Sequence, residues 1–284
     1  MGNHNHQPVH LSRSTKFVFG FASLGMIMIN GIYSSLLPIF YQDYMGLSAS
    51  WIGTASLIYA IWNAINDPLF GYITDNTRSR HGRRIPYLRF TAPFLALTFF
   101  LIWMTPAELN DTAVFWWMLV TMLLYDTCYT IIGLVYSALI PELSEAENER
   151  AQLQISSTLF GLLGFALGFV IPELFRPKAG GAVQLLPLRL AMLGVGILGM
   201  LLIIFTTLKV KERLEFSHDQ EKINFFVYLR ETFSRKAAML LIAENFMRVL
   251  VTSLVMGSIF YVADYVLQTN AILVLGVYFV PLVL

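Results

Sequence analysis

The chain has 284 residues; 56% are hydrophobic and only 13% are charged. Soluble domains carry about 25% charged residues, and the mean hydropathy here is +0.63. These values exclude a disordered chain, a nucleic-acid binder and an ordinary soluble enzyme, and they indicate an integral membrane protein. The net charge is +1, so no strong field favours an acidic partner. The single cysteine, Cys128, lies in an apolar run and reads as a structural thiol.

The first segment, residues 1–16, is polar and has no apolar signal region. Position 6 is His6, so the myristoylation pattern that Gly2 would begin is not completed. His4, His6 and His10 are read as part of a solvated tail rather than as metal ligands, and no metal or cofactor is expected. Seven apolar runs follow: Phe17–Phe40, Ile52–Ile73, Pro86–Met104, Ala113–Ile140, Ile155–Phe175, Leu190–Leu208 and Ala238–Leu267. An eighth begins at Ala271 and reaches Leu284. Helices of these lengths cross a hydrocarbon core of about 30 Å. Continuous apolar runs, without alternation, exclude a membrane β-barrel.

The basic residues set an expected orientation. With the N-terminus in the cytosol, fifteen Lys and Arg fall in cytosolic segments and three, Arg176, Lys178 and Arg189, fall outside. That asymmetry predicts a multi-pass protein with a cytosolic N-terminus; the expected location is the plasma (inner) membrane. The long polar stretch 209–237 separates a six-span bundle (17–208) from the start of a second (238–284). Within it, Ile223–Phe233 has the apolar stripe of an amphipathic interfacial helix. Ala271–Leu284 is 14 residues, about 21 Å of helix, too short to span. The expectation is a chain truncated within its eighth span.

Ionisable groups within spans are functional candidates. Asp67 follows Asn63 by four residues on one face, and Pro68 frees a backbone carbonyl one turn back. A carboxylate, an amide oxygen and freed carbonyls suit a small cation or a proton. Asp126 lies mid-span and is expected to face the bundle interior. It is there either to bind substrate or a proton, or as a polar clamp with Tyr125, Tyr129 or Thr130. Glu244 and Arg248 form an i,i+4 pair, and Glu173 and Asp264 read as interfacial. The loop after the second span, Gly71 to Pro86, carries Asp75, Arg78, Arg80, Gly82, Arg83 and Arg84. Asp75, at a helix C-terminus, is misplaced electrostatically unless an arginine answers it. Ser144 and Glu147 have the spacing of a capping box that starts a short helix into span five. The acids of that loop are placed to face the arginines of the first.

Trp62-Asn63-Ala64-Ile65-Asn66-Asp67-Pro68 through Asn76-Thr77-Arg78-Ser79-Arg80-His81-Gly82-Arg83-Arg84 resembles the major facilitator superfamily. Within it, the likeness is to the glycoside–pentoside–hexuronide cation symporters. Asp43 with Gly46-Leu47-Ser48, Tyr129-Thr130-Ile131 and Leu139-Ile140-Pro141 also resemble that family. The resemblance implies an all-α membrane protein with a major facilitator-type helical bundle. The six N-terminal helices would be followed by the first one or two helices of the second bundle. It implies a cation-coupled symporter of a sugar or related polar organic solute, working by alternating access, with H+ or Na+ as coupling ion. Asp67 and Asn63 would serve cation coupling; Asp126, Tyr129, Thr130 and Thr158 would serve the substrate. Gly71, Asp75, Arg78, Arg80, Gly82, Arg83 and Arg84 would form a gate. Ile27, Asn63, Gly133 and Thr158 stand where the family has charged residues. The apolar replacements at Ile27 and Gly133 favour, as an alternative, a lysolipid or other amphipathic-solute carrier, and the expected truncation motivates another, a non-transporting remnant. A carrier ending at this point would need a second polypeptide to complete its cavity. The expected partners are otherwise the solute and the bilayer, with no nucleic acid.

Overall fold

The computed structural model describes residues 11–77, 82–144, 146–176, 185–210, 212, 234–240, 243–244, 247, 251, 258 and 261–268. Six long helices come first: α1 (Arg13–Ile39), α2 (Ala49–Asn76), α3 (Ile85–Trp103), α4 (Asp111–Leu143), α5 (Glu147–Phe175) and α6 (Leu186–Lys209). Local chemistry explains where they begin. Ser12 caps α1 by accepting from Thr15 N at 3.1 Å, and Asn110 caps α4 by accepting from Ala113 N at 2.9 Å. Pro86 and Pro187 sit in the first turns of α3 and α6, where a missing N–H costs nothing. Each expected run 1–6 lies on one of these helices. Five helices are long and apolar enough to cross a membrane; α2 is long but carries a polar stripe.

The packing is a chain of neighbours: α5 against α1, α1 against α6, α6 against α3, α3 against α4, and α4 against α2. Exchanging α1 with α4, α2 with α5 and α3 with α6 leaves this set of pairs unchanged. Such a pattern is that of two three-helix repeats. The core is formed by side chains such as Phe19, Ile29, Ile32, Leu36, Phe99, Trp103 and Ile132. The outside is apolar too. Phe90, Phe94 and Leu97 on α3 and Leu190, Leu201 and Leu208 on α6 are exposed. An exterior of this kind suits lipid, where association is driven by close packing rather than by hydrophobicity.

α1 and α5 meet along small residues. A Cβ on Gly164 would stand 2.5 Å from Leu24 O, and one on Gly168 would stand 3.0 Å from Gly31 Cα. Both obstacles are backbone, so neither can move aside. At the same end as the α1 N-terminus, Glu149 accepts from Leu11 N (3.0 Å), Lys16 Nζ (3.0 Å) and Ser144 Oγ (2.8 Å).

Two expectations are corrected. There is no capping box at Ser144 and Glu147: α5 begins at Glu147 behind Ala146, which makes no side-chain cap, and the Ser144 hydroxyl is committed to Glu149. The short helix before span five is the first turns of one continuous α5. Glu173, in the last turn of α5, is buried and paired with Arg176 at 2.7 Å.

α1 ends in a π-helical turn, Phe40–Tyr44, followed by Gly46 at φ +74°. Val262–Val266 is a second π turn, followed by Gln268 at φ +49°. The two turns touch: Tyr261 Oη donates to Gln42 Oε1 at 3.1 Å and Tyr265 Oη to Asp43 Oδ2 at 3.0 Å. The tail histidines, Arg248, the helix expected at Ile223–Phe233 and the run Ala271–Leu284 lie outside the described residues.

Gly164→Ala is expected to destabilise the bundle by about 1–3 kcal/mol, because the added methyl meets backbone. Gly53→Ala, facing open space on α2, is expected to stabilise it by about 0.5–1 kcal/mol. Unfolding of the detergent-solubilised variants measures both.

Candidate functional site

Tyr59, Asn63 and Asn66 recur at i, i+4 and i+7 on α2, which puts them on one face. That face turns to α4, and all three donate to Asp126. Tyr59 Oη reaches Oδ1 at 2.9 Å, Asn63 Nδ2 reaches Oδ1 at 3.3 Å, and Asn66 Nδ2 reaches Oδ2 at 3.0 Å. Asp126 is 2% exposed and Asn66 is 1% exposed. A carboxylate so placed must be hydrogen-bonded, since burying it bare is costly. Asn66 Oδ1 has no hydrogen-bond partner. One turn along, Thr130 Oγ1 donates to Asp67 Oδ1 at 3.1 Å. Trp62 Nε1 donates to Thr127 Oγ1 at 3.2 Å, closing the same seam. Asp67 itself is exposed, on the outer side of the seam.

Beside this seam runs an aromatic stack. Tyr33 of α1 lies 4.4 Å from Tyr125, and Tyr125 lies 6.0 Å from Tyr129, centroid to centroid. Tyr125 Oη also reaches Asn30 Oδ1 at 3.5 Å.

The structure thus joins Asp67, Asn63, Asp126 and Thr130, with Tyr129 adjoining. Asn63 turns its amide nitrogen to Asp126. One detail is corrected. The clamp on Asp126 is made by Tyr59, Asn63 and Asn66 of α2, not by Tyr125, Tyr129 or Thr130 of its own helix. Thr158 stands apart, exposed on α5, a helix that packs on α1. Tyr59 is absent from the sequence-based candidates. Its spacing to Asn63 and Asn66 is the signal that marks it.

A second cluster lies at the other end of α2. Asp75 is answered by Arg84, whose Nη2 reaches Oδ1 at 2.6 Å. Arg84 Nε and Arg83 Nη2 both reach Glu142 Oε1 at the end of α4, the first at 3.1 Å. Arg83 Nη1 adds a bond to Asp75 O at 3.3 Å. Three helix ends are therefore tied by two guanidinium groups. The expected meeting of the two loops is what is seen. Gly71 has open space where a Cβ would be, so packing places no demand on it. Arg78 and Arg80 lie outside the described residues. Nothing in the sequence marks Glu212, yet its carboxylate lies against the backbone of Arg83 and Arg84.

A family profile described as MFS/sugar transport protein matches residues 18–284. The chain belongs to that family. The major facilitator bundle and the symporter-type resemblance of its second helix therefore stand together. Among relatives, an uncharacterized symporter, YnaJ, of Bacillus subtilis is 34% identical over 213 residues, covering 72% of this chain and 45% of that protein. The isoprimeverose transporter of Lactiplantibacillus pentosus is 28% identical over 152 residues, covering 53% of this chain and 31% of that protein. A sodium-dependent lysophosphatidylcholine symporter 1 of Gallus gallus is 29% identical over 144 residues, covering 50% of this chain and 27% of that protein. The chain spans less than half the length of these curated relatives.

The two acids of the basic cluster differ in burial: Glu142 is 14% exposed and Asp75 is 56% exposed. Glu142→Gln is expected to cost about 3 kcal/mol, because it leaves two buried guanidinium groups short of charge. Asp75→Asn is expected to cost about 0–1 kcal/mol, as for exposed pairs. Equilibrium unfolding of the two variants separates them.

Proposed function

We propose that this chain works in a cation-coupled secondary transporter that moves a sugar or related polar organic solute by alternating access. The observation that carries the reading is the α2–α4 seam. It sets an exposed carboxylate, Asp67, beside a buried hydrogen-bonded one, Asp126, deep between apolar helices. Ionisable groups at that depth in a membrane bundle mark ion and substrate paths. Asp67 takes the coupling ion, H+ or Na+, with Asn63 and the orphaned Asn66 oxygen close by. Thr130, Tyr129 and Thr158 offer hydroxyl groups to a polar solute, and Asp126 holds the α2 face that presents Asp67.

The bundle has two ends with different ties. Asp75, Gly82, Arg83, Arg84 and Glu142 brace the end that carries the α1 N-terminus. The contacts of Tyr261 and Tyr265 with Gln42 and Asp43 close the opposite end. Gates at alternate ends are what an alternating-access carrier requires. The concentration of basic residues on the first end supports a cytosolic N-terminus in the plasma membrane. The remainder of the cavity would come from a second bundle, on this polypeptide or on another.

A second reading within the same mechanism is an amphipathic solute such as a lysolipid. It is favoured by Ile27 and Gly133, apolar where the sugar-carrying family has carboxylates. The relative named as a lysophosphatidylcholine symporter supports it as well.

Uptake into proteoliposomes holding this chain together with the second bundle that completes its cavity tests these readings, with labelled glycosides and labelled lysophosphatidylcholine as probes under imposed Na+ and proton gradients. Gradient-driven uptake of one probe is expected, and Asp67→Asn is expected to lower the gradient-dependent part at least about tenfold, with little change in protein stability. Uptake by Asp67→Asn that keeps its full gradient dependence would overturn the assignment of Asp67. No uptake of either probe under any gradient would overturn the transport reading for this chain.

A further inference from the structure

α3 and α6 cap each other's ends. The last turn of α6 leaves carbonyl groups without in-helix donors and carries partial negative charge. Arg89, in the second turn of α3, answers it. Its Nη2 donates to Thr207 O at 3.1 Å and its Nε to Thr207 Oγ1 at 3.3 Å. The chain then leaves α6 with Val210 buried and Glu212 folded back over the N-terminus of α3.

The Glu212 carboxylate accepts from three consecutive amides. Arg83 N reaches Oε1 at 2.7 Å, Arg84 N reaches Oε2 at 2.9 Å, and Ile85 N reaches Oε2 at 3.2 Å. The amides of Arg84 and Ile85 are at the cap and first position of α3, without in-helix acceptors, where a carboxylate is favoured by both hydrogen bonding and the helix dipole. Arg84, the residue at the cap position, makes no such bond with its own side chain. Gly82 fits this arrangement twice over. Its φ is +102°, which disfavours a side chain, and a Cβ there would collide with the Glu212 carboxyl.

The capped amides belong to Arg83 and Arg84, the residues whose guanidinium groups hold Asp75 and Glu142. A backbone pinned at these positions restricts where the guanidinium groups can reach. Glu212 is on none of the three helices of that network; it is on the segment that leaves the six-helix bundle. We propose that Glu212 is the positioning residue of the Arg83–Arg84 network, tying the chain beyond α6 to the gate, so that the network opens only when this carboxylate withdraws. The proposal rests on the gate reading above for its function and on the three amide bonds for its geometry.

Amide hydrogen exchange of the reconstituted chain tests it, read on the peptide 82–90 and on peptides from α1 and α5. The proteins compared are the wild type, Glu212→Ala, Glu212→Gln, Glu142→Gln and the Glu212→Ala/Glu142→Gln double variant. Glu212→Ala is expected to speed exchange at 83–85 at least about tenfold, with α1 and α5 unchanged. Glu212→Gln, which keeps one acceptor oxygen, is expected to give a smaller rise. The double variant is expected to exchange no faster than Glu212→Ala, because both substitutions act on the same two arginines. Unchanged exchange in Glu212→Ala would overturn the proposal. So would a multiplicative effect in the double variant, or a rise spread through α1 and α5, which would make Glu212 a brace of the whole fold. Uptake measured in the same vesicles separates the two levels. A wild type that moves no solute when its second bundle is present contradicts the transport reading, while the exchange pattern alone decides the tie.

Discussion

Asp126 is a carboxylate held at 2% exposure between apolar helices, and the arrangement of α2 follows from what that requires. A buried charge without donors is too costly to keep. The donors come from the neighbouring helix, not from α4, so Asp126 fixes both the rotation and the height of α2. Tyr59, Asn63 and Asn66 can all face Asp126 only in one register. In that register Asp67 meets Thr130 and its remaining surface is left outside the seam. The polar stripe that makes α2 less apolar than its neighbours is thus the same feature that seats it.

The rest of the bundle is held differently. α1 approaches α5 and α6 through glycine, with hydrogen bonds from Ser23 to Ser157 O and from Thr206 to Val18 O at the contacts. This division gives one half a close-packed backbone seam and the other a seam of side-chain hydrogen bonds. Interlocked backbones cannot slide without separating. α2 makes no such backbone approach: Gly53 and Gly71 face open space. The charged cluster of Asp75, Arg83, Arg84 and Glu142 sits where its movement would be felt.

Much of this was legible in the sequence. Six of the apolar runs match α1–α6 closely because uncharged stretches of that length have few other uses. Asp67 and Asp126 stood out for the same reason, as carboxylates where none is expected. The pairing of Asp75 with an arginine followed from its place at a helix C-terminus. What the sequence did not reveal was which helix face meets which. The donors to Asp126 lie sixty or more residues away, and periodicity on α2 shows a shared face without naming its neighbour. Glu212 was hidden more deeply: it lies in a polar stretch, and its partners are 127 or more residues earlier. The spacing of Ser144 and Glu147 misled because capping chemistry depends on where the helix starts. Glu149, not Glu147, takes the serine hydroxyl. Thr158 was carried by family resemblance, and no physical signal in its own helix tied it to the α2–α4 seam.

The most direct measurement is a double-mutant cycle on unfolding free energy, using Asn66→Ala, Asp126→Ala and the double variant in one detergent. Both residues are buried and bonded to each other at 3.0 Å, so their losses should overlap. A coupling of about 1 kcal/mol or more is predicted, since Asn66→Ala strips Asp126 Oδ2 of its donor and Asp126→Ala leaves the Asn66 amide unpaired. Additivity within about 0.3–0.5 kcal/mol would contradict the account, because Asp126 would then not be what seats α2 on α4.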